Sequence, residues 1–156
     1  MIDGRTRQEL AQRVAAATPS QQAQFLLERM KWPLVIAQAA GVTTGTVHRW
    51  AAGAFRPTGE HATRLSEMFA AVYTLAAFFS EPHVPNAWVI GANPWIGEHA
   101  PLAYIRAGRG SEVLVAAQGF VEYCQEAPNP CRLQPEYPVL GAAPMIARAA
   151  PTQGVA

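Results

Sequence analysis

The chain has 156 residues, half of them hydrophobic and 15% charged, with a formal net charge of +1. That content supports a packed core and excludes a charge-rich chain that stays unfolded. No apolar run reaches the roughly 18–20 residues a membrane-spanning helix needs, and the first ten residues lack the apolar stretch of a secretion signal, so a soluble cytoplasmic protein is expected. The balance of charge is uneven: through Ala70 there are eight Lys/Arg and five Asp/Glu, and after it four and six. The small basic excess therefore travels with the N-terminal half.

In chain order, residues 6–17 read as a first helix, with Leu10 and Val14 four apart on one face. Thr18-Pro19 restarts the chain, Thr as the cap and Pro at the first helical position. The second helix runs to about Met30 and buries Phe25, Leu26 and Met30. Trp32-Pro33 marks a boundary, because a residue before proline avoids the helical region. Residues 34–52 then read as two short helices around Gly41, the second capped by Thr43. Residues 53–57 form a loop. Thr58 caps a long helix over 59–79, in which Leu65, Met68, Phe69, Val72, Leu75 and Ala76 repeat at three and four. Glu81-Pro82 and Val84-Pro85 end it.

A second module is expected over 86–125. Asn93 to Gly97 is a turn, Pro101 opens a short helix through Arg106, Gly108 to Gly110 breaks it, and Ser111 caps a last helix containing Val113, Leu114, Ala117 and Phe120. Trp88 and Trp95 fit core anchors or partner contacts, the core being favoured for rings of that area. Six of the thirteen prolines fall after Ala127, so 126–156 reads as an extended, mobile tail, with one helical turn over 145–149. The fold class expected is thus all-α: a helical region over 1–80, a small helical module over 86–125, and the tail.

The pair of helices over 34–52 carries the functional argument. Ile36, Ala37 and Ala40 supply the apolar face of the first helix, and Val42, Val47 and Trp50 that of the second. Gly41 sits where the chain turns sharply and the missing Cβ permits positive φ. This is a helix-turn-helix layout, the plainer alternative being an ordinary helical hairpin. With Val47 and Trp50 inward, Thr44, Gly45, His48 and Arg49 point outward and Thr43 stands at the helix start. Arg49 fits either a bidentate fork on guanine or a phosphate contact. Thr43 and Thr44 suit phosphate or thymine-methyl contacts. Arg56 suits backbone phosphate or open solvent, and His48 reads equally as a plain surface histidine.

No catalytic constellation is evident: no Walker-type loop, no nucleophile elbow around Ser20, Ser66, Ser80 or Ser111, and no paired carboxylates among Glu112, Glu122 and Glu126. The four histidines and two cysteines make no recognisable metal site, and no cofactor is expected. Cys124 and Cys131 are read as free thiols in preference to a disulfide.

The segment GVTTGTVHRW (41–50), followed by Gly53 and Pro57, resembles the Xre/Cro-type helix-turn-helix family. Trp88, Asn93-Pro94-Trp95-Ile96-Gly97, Ala100-Pro101-Leu102 and then Gly108 and Val113 resemble the toxin-binding domain of Xre/MbcA/ParS-type antitoxins. The likeness covers about 34–122. It implies an antitoxin that represses its own operon and silences a RES-domain toxin acting on NAD. The chain departs from that pattern at Ala100, where Ser is common, and in its longer tail. The expected partners are double-stranded operator DNA, a RES-type toxin and a second copy of the chain, with no membrane. Pro101, Tyr104, Arg106 and Arg109 are the candidate toxin contacts, although charged residues near glycine turns also suit plain solvent. The rival readings are a stand-alone transcriptional repressor, and an adaptor whose helices and Pro-rich tail bind only protein.

Overall fold

The computed structural model describes residues 2–126 and 135–141. They are all-helical: α1 (Gly4–Ala16), α2 (Pro19–Met30), α3 (Pro33–Ala40), α4 (Thr44–Ala51), α5 (Gly59–Phe78), α6 (His83–Ile90), a 3-10 turn (Pro94–Ile96), α7 (Pro101–Arg106) and α8 (Gly110–Glu126). Among the described residues there is no strand, only an isolated bridge between Asn93 and His99. No helix there is long and apolar enough to cross a membrane.

Local chemistry sets the helix starts. Asp3 caps α1 by accepting from the Thr6 amide at 2.9 Å, and that bond holds the Asp3 carboxyl below its ordinary range. Thr18 and Gln21 form a reciprocal capping box on α2, with Pro19 at the first helical position. Thr58 stands at the N-cap of α5 as expected, but its side chain makes no cap bond. Ser111, expected as a cap, is already inside α8.

α5 is the axis of the fold. The sequence pattern points to one apolar face, yet every residue from Met68 to Phe78 is buried. The reason is that α1, α2, α3, α6, α7 and α8 all pack against it. Phe69 and Tyr73 of α5 meet Phe25 of α2, with ring centroids 5.3–5.4 Å apart. The core continues from Ile2 through α5 to Val113, Ala117 and Val121 of α8. The 86–125 segment thus shares one hydrophobic interior with the N-terminal helices.

Two expectations change. Pro82 and Pro85, read as terminators, lie at the start of α6. Proline is tolerated in a first helical turn, where its missing N–H would have no partner. Asn86 of this helix donates to the Met30 carbonyl at 2.8 Å, closing the end of α2. The second change concerns the tail. Residues 135–141 are extended but docked: the Glu136 amide donates to the Ala77 carbonyl at 2.7 Å, and the Tyr73 hydroxyl donates to the Pro138 carbonyl at 2.9 Å. Tyr137 donates to the Glu9 carboxylate at 3.1 Å and takes the Arg13 guanidinium over its ring at 4.4 Å. Cys131, and with it the pairing of Cys124, lies outside the described residues, as does the turn expected over 145–149.

Candidate nucleic-acid interface

Gly41 joins α3 to α4 in the left-handed region, φ +79°. Its amide and that of Val42 both donate to the Ala37 carbonyl, at 2.8 and 3.0 Å, which closes the turn. Thr43 begins α4 by accepting from the Thr46 amide at 3.2 Å. Val47 and Trp50 are 0% and 2% exposed, and Ala37 is buried with them. The small side chain at 37 lets the two helices approach.

The opposite face of α4 is open. Gly45, His48 and Arg49 are exposed, as are Thr43 at the cap and Arg56 in the following loop. Thr44 is only half exposed. Arg49 folds back along its own helix, its Nε donating to the Gly45 carbonyl at 3.3 Å, with its guanidinium 5.6 Å from the centre of the exposed Phe55 ring. Phe55 belongs to this surface, although no charge or periodicity in the sequence pointed to it.

The far end of α3 is tied to the later helices. Arg106 donates to the Gln38 carbonyl at 3.1 Å, and the His61 ring lies 3.1 Å from the Ala40 carbonyl. These groups occupy the last-turn carbonyls of α3, where cations are favoured. Arg64, paired with Glu60 at 3.3 Å, lies close by: a Cβ on Gly41 would stand 2.9 Å from its Nη1 and 3.2 Å from Arg106.

The candidate toxin contacts divide: Arg106 and Arg109 are exposed, each with a partner inside the chain, while Pro101 and Tyr104 lie deeper. Pro101 is buried at the first position of α7, behind the surface. Arg106 is bound to α3. Tyr104 is half-buried, with the Arg109 guanidinium 4.3 Å from its ring centre. Arg109 in turn forms a two-bond fork with Glu112 at 3.1 and 2.8 Å.

The apolar surface lies elsewhere. Trp88 is half-buried near Phe120, but Trp95 is 46% exposed and not a core anchor. The Asn93 side chain accepts from the Trp95 amide at 3.0 Å, and the resulting turn places the indole beside Gly119, where an added Cβ would lie 3.2 Å from Nε1. Trp95 meets Phe120 and Tyr123 edge-on at 6.2 and 6.0 Å. With Pro94 these rings line an open groove.

Burial shifts two groups near α8. The Glu67 carboxyl is pushed up by desolvation, with the Gly110 amide pulling it partly back. The half-buried Cys124 thiol is pushed up by burial alone. Among the described residues no three His, Cys, Asp or Glu side chains cluster as metal ligands do. No protein-family model, curated protein or solved structure matches this chain.

Proposed function

We propose that this chain is a DNA-binding antitoxin: a helix-turn-helix regulator that, as a homodimer, binds its own operator and also silences a RES-type toxin. The observation that carries the DNA half is the division of α4. Val47 and Trp50 fill the interior while Gly45, His48 and Arg49 face outward, the arrangement a recognition helix needs to enter a major groove. In this reading Arg49 contacts a guanine edge or a phosphate, Thr43 and Thr44 meet the backbone near the helix start, and Arg56 binds phosphate. Paired copies would place two such helices on half-sites about one helical turn apart. The protein acts by binding and carries out no reaction of its own.

Support for the toxin half comes from the second module's order of Trp88, Asn93-Pro94, Pro101-Leu102, Gly108 and Val113, together with the exposed rings of Trp95 and Tyr123. A contiguous apolar surface of this kind suits a protein partner. It adds the groove beside α8 to the expected contact over 101–109, where Arg106 and Arg109 are exposed.

Fluorescence anisotropy with the duplex upstream of the gene tests the first half. Arg49→Ala should weaken binding about tenfold or more, the loss expected for a base contact of roughly 1–3 kcal/mol, while the melting temperature stays unchanged. Affinity should fall as salt rises. Unaltered affinity in Arg49→Ala removes α4 from the interface. Co-expression with a RES-type toxin, sought in the reading frame beside the gene, tests the second half: growth rescue is expected. Failure of rescue with duplex binding intact would leave a stand-alone repressor.

A further inference from the structure

Three side chains are the buried polar residues among those described: Gln22, Thr74 and Asn93, at 7%, 2% and 3% exposure. Buried polar groups call for partners. The Asn93 side chain has its partner in its own turn, the Trp95 amide. Gln22 and Thr74 come from different helices, α2 and α5, and both line one partly open pocket of about 270 Å³ between α1, α2, α5 and α8.

The pocket has a mixed wall. Leu10 and Val14 of α1 and Leu114 of α8 give it an apolar body, and Ser66 and Gln118 add a hydroxyl and an amide. Thr74 donates its hydroxyl proton to the Ala70 carbonyl at 2.8 Å, which leaves its oxygen as an acceptor. Gln22 makes one long bond from Nε2 to the Ala17 carbonyl, 3.4 Å. Among the described residues no acidic side chain lines the pocket, and the one cation on its wall, Arg7, is paired with Glu122 at 2.8 Å. The opening lies along α1, where Arg7, Ala11 and Ala15 are exposed.

We propose that this pocket is a binding site for a small uncharged molecule with an apolar body and a carboxamide-type group. A carboxamide supplies a donor for the Thr74 oxygen and both a donor and an acceptor for Gln22. Among the described residues the wall gives a cationic ligand no acidic counter-charge, and its Arg7 is already paired with Glu122, which disfavours an anion. A cavity of about 150 Å³ holds one benzene ring, so this pocket takes a ligand of about ten non-hydrogen atoms. The site is independent of the reading of α4 as a DNA reader, yet it touches the same scaffold. α2 brings Gln22 to the pocket and packs against α4, where the Ser20 hydroxyl donates to the Ala51 carbonyl at 3.0 Å.

The test titrates the full chain with benzamide, toluene and benzoate while following the NMR signals of Leu10, Val14 and Leu114. Benzamide should give saturable shifts at all three residues, and benzoate should bind at least about tenfold more weakly. Thr74→Val removes the hydroxyl at constant shape. It should weaken benzamide about fivefold, in line with the loss of one hydrogen bond, and leave toluene unchanged. Ala70→Leu should fill the pocket and abolish both; should it fail to fold, Thr74→Val still decides. The proposal is overturned if no saturable shift appears at these residues, which would make the pocket a water site only. It is equally overturned if benzoate binds as well as benzamide, or if Thr74→Val leaves benzamide unaffected.

Discussion

Along α4 the exposed residues are Gly45, His48 and Arg49, whereas along α8 they include Val115 and Tyr123, with Trp95 laid beside Gly119. Both helices use the same means of staying folded, an inner stripe of buried apolar residues: Val47, Trp50 and Ala51 in one, Val113, Ala117 and Val121 in the other. The fold constrains those stripes and leaves the outer faces free to differ. A polar outer face is ordinary, so α4 earns attention only through the turn that presents it. A contiguous exposed aromatic face is unusual in itself and marks a contact surface.

The comparison breaks most readily at its two tryptophans. Trp50→Ala should lower stability by about 3–5 kcal/mol, as for other buried large-to-small changes. Trp95→Ala, on an exposed ring, should lower it by less than about 1 kcal/mol. Denaturant melts of the two variants measure this, and equal losses would erase the distinction between an inner and an outer aromatic.

Gly41→Val comes next. It places a β-branched residue at φ +79°, with its Cβ 2.9 Å from Arg64. The left-handed conformation alone costs about 1–2 kcal/mol. Gly45→Ala, where the nearest atom is 3.8 Å away, should hold or slightly raise the melting temperature. A smaller effect is expected at the docked segment: Tyr73→Phe removes the bond to the Pro138 carbonyl, about 1 kcal/mol, and should speed protease cleavage within 135–141.

The smallest effect concerns Glu67. Its folded carboxyl titrates above the unfolded one because burial disfavours the charge. The stability it contributes is present at low pH and is lost as pH rises through that raised range. Glu67→Gln should flatten this part of the stability profile, as followed by thermal melts from acid to neutral pH. An unchanged profile would remove Glu67 as the cause.

The α3–α4 pair was legible from the sequence because three local rules agree there: small and apolar residues at helical spacing, a glycine at the turn and a threonine cap. α6 was hidden because Pro82 and Pro85 carry the same letters whether they end a helix or open one. The exposure of Trp95 was not legible, since ring type gives area and says nothing of which side it faces. That outcome depends on the Asn93 turn and on the glycine at 119. Residues 135–141 were read as free because extended backbone has no periodicity, and the groups that hold them, Tyr73 and Ala77, lie far off in the chain. The fold class was within reach of pattern; the partners of the non-helical segments and the available surface of 101–109 depended on tertiary contacts.

The contact between α5 and α8 is the most extensive among the described helices, and Arg106 reaches across to close the end of α3. The N-terminal 80 residues are therefore no interchangeable cassette. Cut after Ser80, they would leave the central helix stripped along one side, so shuffling this front half onto another protein would require a surrogate for α8 to travel with it.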